Sequence, residues 1–149
     1  MAVKREPAKS RKVGKHLYRI PFMAREIPDY GKHLRGLGIK QVIALETPSQ
    51  NRMGELNAAG ITVHDFHIDP GHSFAGNYPQ VMLQAARKLK EAEENGVPTA
   101  LSCFFGQRRS ARVLYLTKRM MGQTHLEAIS AARPRPEDEE RLRELYEKS

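Results

Sequence analysis

The stretch from Pro98 to Met121, PTALSCFFGQRRSARVLYLTKRMM, reads as a strand, a loop and a helix in that order. The apolar pair Ala100-Leu101 runs into Cys103, the only cysteine of the chain. Gly106 centres the loop, and Arg109 and Ser110 stand where a helix to about Met121 begins. A loop entering a helix N-terminus aims several backbone N–H groups at one point, where the helix dipole adds partial positive charge. That is an anion site, most naturally for phosphate. Gly106 lets the backbone curl closely round the anion, and Arg109 can offer it two parallel hydrogen bonds. Cys103 lies at the floor of the same loop, where these donors would favour a thiolate. A nucleophile inside an anion cradle suggests attack on phosphorus and a phosphocysteine intermediate. The competing reading is a structural cysteine at a strand end.

Working outward, strands and helices alternate. Tyr18–Phe22 reads as a short strand, placed at an edge by Pro21. Pro28-Asp29 opens a helical stretch through Leu34 and Leu37, which Gly36 and Gly38 break. Gln41–Leu45 is a β-branched apolar strand. Thr47-Pro48-Ser49 caps a helix closed by Gly60. Ile61–Ile68 is the next strand, followed by the turn signal Asp69-Pro70-Gly71. Apolar residues from Tyr78 to Ala92 recur at helical spacing, and Glu94-Asn95-Gly96 ends that helix. After the opening stretch, Thr124-His125-Leu126-Glu127 is a capping box for a helix to about Ala132. Pro136 and the acidic run Glu137–Glu140 suit the first turn of a last helix with Leu142, Leu145 and Tyr146 on its buried face. The Met120-Met121 pair reads as core. The pattern predicts an α/β fold: a mostly parallel central sheet of four to five strands, flanked by helices. In such sheets ligands bind beyond the carboxyl ends of the strands, where Cys103 sits.

The chain of 149 residues has the length of one domain, with hydrophobic residues at 40% enough for one core. Residues 1–15 carry Lys4, Arg5, Lys9, Arg11, Lys12 and Lys15 against Glu6, so most of the net charge of +8 is in this stretch. With no aromatic residues interleaved, it reads as a basic, solvated tail rather than a nucleic-acid anchor, and 16–149 as a single domain. No apolar run reaches membrane-spanning length, and no apolar leader opens the chain, so a cytoplasmic protein is expected. A lone cysteine makes no internal disulfide.

The 103–110 stretch resembles the signature of the cysteine-dependent protein tyrosine phosphatases: Cys103, five residues, Arg109, Ser110, with Gly106 three after the cysteine. The small dual-specificity type is the most similar. Tyr115–Met120, Leu126–Ile129 and Ala132-Arg133-Pro134 resemble that family's helices after the loop. Leu37–Leu45 resembles its early helix-turn-strand, and 60–68 the strand before its general-acid loop. The likeness covers about residues 16 to 148. It implies that Cys103 is the nucleophile and that Arg109 binds the phosphate. Residues Phe104, Phe105, Gly106, Gln107, Arg108 and Arg109 would cradle the phosphate oxygens, and Ser110 would help the sulfur leave. It further implies an aspartate general acid on a separate loop, for which Asp69 is the candidate and Asp65 the fallback. The family register places this acid one residue later, at Pro70. The family usually has histidine before the cysteine, where this chain has Ser102, whose hydroxyl can still bond loop backbone. The implied activity is hydrolysis of phosphomonoesters in proteins or peptides, on tyrosine and also serine or threonine, with no metal or cofactor.

Other readings stay open. A pseudophosphatase would bind phosphorylated ligands without turnover. Arg108 adds a positive charge suited to a polyphosphorylated small molecule or an RNA 5′ end. Cys103 and Arg108 also fit the shorter loop of sulfurtransferases. One of Phe104 and Phe105 is expected to face substrate. His64, His67, Asp69 and His72 read as ordinary polar residues rather than metal ligands.

Overall fold

The computed structural model describes residues 10–22, 27–69, 71–104 and 108–149. The described strands are β1 Arg11–Lys12, β2 Leu17–Arg19, β3 Gln41–Ala44, β4 Thr62–Asp65 and β5 Thr99–Ser102. The described helices are α1 Tyr30–Gly36, α2 Gln50–Ala58, α3 Tyr78–Asn95, α4 Arg108–Met120, α5 His125–Ala132 and α6 Pro136–Lys148. They build the expected α/β fold. The strand order is β1-β2-β5-β3-β4, parallel throughout except for β1 against β2.

Alternation along the strands divides the core in two. Leu17, Ile43, Leu101 and Cys103 face one side of the sheet, where they pack with Met82, Leu89, Val113 and Leu116 of α3 and α4. Ile20, Val42, Ala44 and Ala100 face the other, against Tyr30, Leu34 and Leu56 of α1 and α2. β5 is the central strand and all four of its residues are buried. α4 packs against α3, α5 and α6, so every residue from Arg109 to Lys118 is buried, polar ones included.

Local chemistry sets most boundaries. Asp29 caps α1 through the Lys32 N–H at 2.9 Å, and Ser49 caps α2 through the Arg52 N–H at 3.2 Å. The Thr124–Glu127 capping box forms in both directions. Gly96, at φ 69°, supplies the left-handed residue that ends α3.

Three expectations need correction. The strand read at Tyr18–Phe22 lies inside the sheet rather than at its edge, because Arg11–Lys12, within the stretch read as a tail, pair with it. Pro21 is tolerated there because β1 pairs no further than Arg19, so no ladder bond is asked of residue 21 on that side. Towards β5 the bonds come from Ile20 N–H to the Leu101 carbonyl and Phe22 N–H to the Cys103 carbonyl, both 3.1 Å. β4 stops at Asp65, where its partner β3 stops at Ala44, and the chain then continues to Ile68 with single bonds to Ala44 and Leu45 carbonyls. Met121 is not core but 37% exposed, because α4 has ended at Met120. Among the described residues no helix is long and apolar enough to cross a membrane.

Candidate active site

The carboxyl ends of the parallel strands converge on Cys103. β5 carries it one residue past its last paired position, between β2 and β3. The same alternation that turns Leu101 towards α4 turns Cys103 there, 2% exposed, where the Ser110 hydroxyl donates to its Sγ at 3.1 Å. Thus the thiol and the first turn of α4 meet. Arg19 on β2 lies on this face too, 6% exposed. Burial pulls its guanidinium down to about 10 and Arg11 adds to this, while the charge of Cys103 acts in the opposite direction. The sequence reading missed Arg19, because its register opposite Leu101, two residues before the cysteine, is set by strand pairing and not by any local motif.

Arg109 is 8% exposed, and its Nη1 donates to the Ile68 carbonyl at 2.9 Å and to Glu46 Oε1 at 3.5 Å. The guanidinium is thereby aimed at the segments that follow β3 and β4. Ile68 immediately precedes Asp69, so this bond draws the proposed acid's segment to the start of α4. Asp69 accepts from His67 Nε2 at 2.7 Å and from the Tyr78 hydroxyl at 2.8 Å. Those two bonds, His67 first, hold its carboxyl below the ordinary carboxylate value. Asp65 instead ends β4 and accepts from the Thr47 hydroxyl at 2.8 Å.

Ser102 faces the other side of the sheet. Its hydroxyl lies 2.5 Å from the Ile20 carbonyl and 2.6 Å from the Tyr30 hydroxyl, which itself reaches the Ile20 carbonyl at 2.7 Å. Ser102 therefore ties β5 to β2 and α1; this replaces the expected bond to loop backbone. Burial pushes the Tyr30 phenol well above its ordinary value, which keeps it a neutral donor.

An open cleft of about 600 Å³ lies beside these groups, lined by Phe22, Glu46, Pro48, Arg52, His67 and Phe104. Phe104 is 38% exposed and lines the cleft. Phe105, Gly106 and Gln107, together with Pro70, lie outside the described residues. Arg108 is described, and it is engaged: its Nε and Nη2 donate to the two Asp138 oxygens at 3.2 and 3.1 Å. The acidic run does not read as holding a buried residue; the one available signal for Asp138 is its place on the helical stripe of Leu142 and Leu145. His64 bonds the Gln41 side chain at 3.0 Å, apart from His67.

No protein-family model matches the chain, and no curated protein sequence does. Solved structures do. The core catalytic domain of the PP-IP phosphatase SIW14 from S. cerevisiae, in complex with citrate, superposes with a TM-score of 0.72 at 16% identity, over 93% of this chain and 86% of that one. Tk-PTP in its active form gives 0.68 at 19% identity, over 94% and 97%. A singly substituted form of human DUSP28 gives 0.71 at 14% identity, over 95% and 97%. The chain has the fold of the cysteine-dependent protein tyrosine phosphatases of the small dual-specificity type.

Proposed function

We propose that the chain is a phosphomonoesterase that works through a phosphocysteine on Cys103. The carrying observation is the pairing of Cys103 Sγ with the Ser110 hydroxyl at 3.1 Å, in the first turn of the helix that also holds Arg109. The Cys103 thiolate attacks phosphorus and the ester P–O bond breaks. Asp69 protonates the leaving oxygen, then takes a proton from the water that attacks the phosphocysteine. The S–P bond breaks, inorganic phosphate leaves, and the Ser110 hydroxyl stabilises the departing thiolate. Arg109, released from Glu46 and Ile68, binds the phosphoryl oxygens. These steps use no metal or cofactor.

The substrate proposed is phosphotyrosine in a protein or peptide, with phosphoserine and phosphothreonine as further substrates. The aromatic and proline residues along the cleft support an aryl group next to the phosphate. A second reading, a polyphosphorylated small molecule, draws on the likeness to SIW14. Against it, Asp138 already engages the extra charge of Arg108. A panel of phosphopeptides and inositol polyphosphates separates the two. For the mechanism, p-nitrophenyl phosphate turnover is measured with and without chelator. Cys103→Ser is expected to abolish it and chelator to leave it unchanged; turnover surviving the substitution would overturn the proposed mechanism.

A further inference from the structure

Asp138 stands in the first turn of α6, 2% exposed, between two arginines of α4. Arg112 donates to its Oδ2 through Nε at 2.8 Å and to its Oδ1 through Nη2 at 3.1 Å. Arg108 donates to the same two oxygens. The remaining Nη1 of Arg112 bonds the Ser73 hydroxyl, and Arg112 and Ser73 are 3% and 1% exposed. The next residue, Phe74, has Arg112 4.9 Å and Arg141 of α6 5.5 Å from its ring centroid. Three distant parts of the chain therefore meet in one buried polar knot. They are the segment just after Asp69, the first two turns of α4 directly after the phosphate loop, and the start of α6.

We propose that Asp138 is a positioning residue that, through Arg112 and Arg108, sets where the segment carrying Asp69 stands relative to the start of α4. This rests on the phosphatase reading above. A buried carboxylate between two guanidiniums gives little net stability over a well-packed apolar plug. What it does give is direction: each guanidinium plane must lie where both oxygens are met in parallel. Arg112 carries that constraint to Ser73, four residues from Asp69. Arg108 carries it to the residue next to Arg109. The proton donor and the phosphate-binding arginine are thus referenced to one carboxylate that touches neither substrate nor sulfur. Protonating a leaving group depends on placement to within about 1 Å, whereas a leaving group that departs unprotonated does not need the donor.

The test compares kcat/KM, which reports only on the steps through departure of the leaving group, for phenyl phosphate, whose leaving phenolate needs a proton, and for difluoro-methylumbelliferyl phosphate, whose leaving group is a much weaker base. Asp138→Asn is expected to lower the first on the order of tenfold and the second far less, with Asp138→Glu recovering part of the loss. Ser73→Ala, which cuts only the link to the acid segment, is expected to shift the ratio in the same direction. Thermal melting checks that each variant is folded at the assay temperature. An unchanged ratio in folded Asp138→Asn would overturn the proposal; if that variant does not fold, an unchanged ratio in Ser73→Ala does so. A wild-type chain that turns over neither substrate overturns the phosphatase reading, and this inference with it.

Discussion

At the residue scale, the acid assignment turns on the partners of two aspartates. Asp69 lies beside the residue whose carbonyl Arg109 holds, and both its oxygens accept hydrogen bonds, from His67 and Tyr78. Its depressed carboxyl must regain a proton before it can act as an acid. In the proposed mechanism the negative charge of a bound phosphate ester would push it upward. Asp69→Asn is therefore expected to lower kcat on phenyl phosphate about a hundredfold, within the usual contribution of general acid catalysis. Asp65→Asn should change it less than about twofold, because Asp65 is bonded to Thr47 at the end of β4. Loss in the second variant alone would move the acid to Asp65. The Ser102 network makes a separate prediction. Tyr30→Phe removes one hydroxyl but leaves Ser102 its bond to Ile20, so stability by urea titration should fall by about 1 kcal/mol. Cys103, Arg109 and Ser110 could be read in advance because their relation is local: a strand end, a loop and one helical turn in continuous chain. Tyr30 and Glu46 could not, since their bonds to Ser102 and Arg109 span 72 and 63 residues and depend on which face of the sheet α1 covers and on where the chain turns after β3.

At the element scale, the helices were legible wherever caps and apolar spacing agreed, as in α3 and α5. Strand extents were less so, because a strand ends where its neighbour ends: Asp65 stops opposite Ala44, and nothing in the sequence near Asp65 says so. The function of α6 was the least visible. Its acidic first turn reads as a match to the helix dipole, and Glu137 and Glu139 fit that, while Asp138 points inward to Arg108 and Arg112. Burial alone would raise the Asp138 carboxyl, but the bonds from Arg112 and Arg108 outweigh it and hold it below its ordinary value. A depressed native value stabilises the fold above the unfolded carboxylate value of about 4, and this contribution is lost as pH falls through the native value. Asp138→Asn should therefore be less stable than wild type by roughly 3–5 kcal/mol at neutral pH, with two guanidiniums left underpaired. The gap should stay flat from roughly pH 8 to 5 and narrow only below about pH 4. A gap that narrows at pH 6 would assign the titration to another group, a histidine being the nearest in ordinary value.

At the scale of the whole molecule, the segment around Val13 and the C-terminal helix α6 both reach α4. From the C-terminal side α6 reaches the start of α4 through Asp138. From the N-terminal side the Val13 carbonyl accepts from Lys118 Nζ at 2.6 Å, at the far end of the same helix, across 105 residues of sequence. Lys118 is 7% exposed, so its ammonium depends on that carbonyl more than a surface lysine would. β1, on the same short segment, pairs with β2, which in turn pairs with the strand that carries Cys103. A chain shortened to begin at Lys15 loses both the β1 ladder and the Lys118 acceptor. Its destabilisation should exceed that of an ordinary terminal trim, and part of it should belong to the unpaired charge alone. Combining the truncation with Lys118→Met isolates that part, since methionine fills similar space and needs no acceptor. If the carbonyl serves the ammonium, the truncation should cost about 2 kcal/mol less in the methionine background, the worth of a hydrogen bond to a charged group. Equal cost in both backgrounds, measured by urea titration, would mean that the segment acts only through the β1 ladder and not through Lys118.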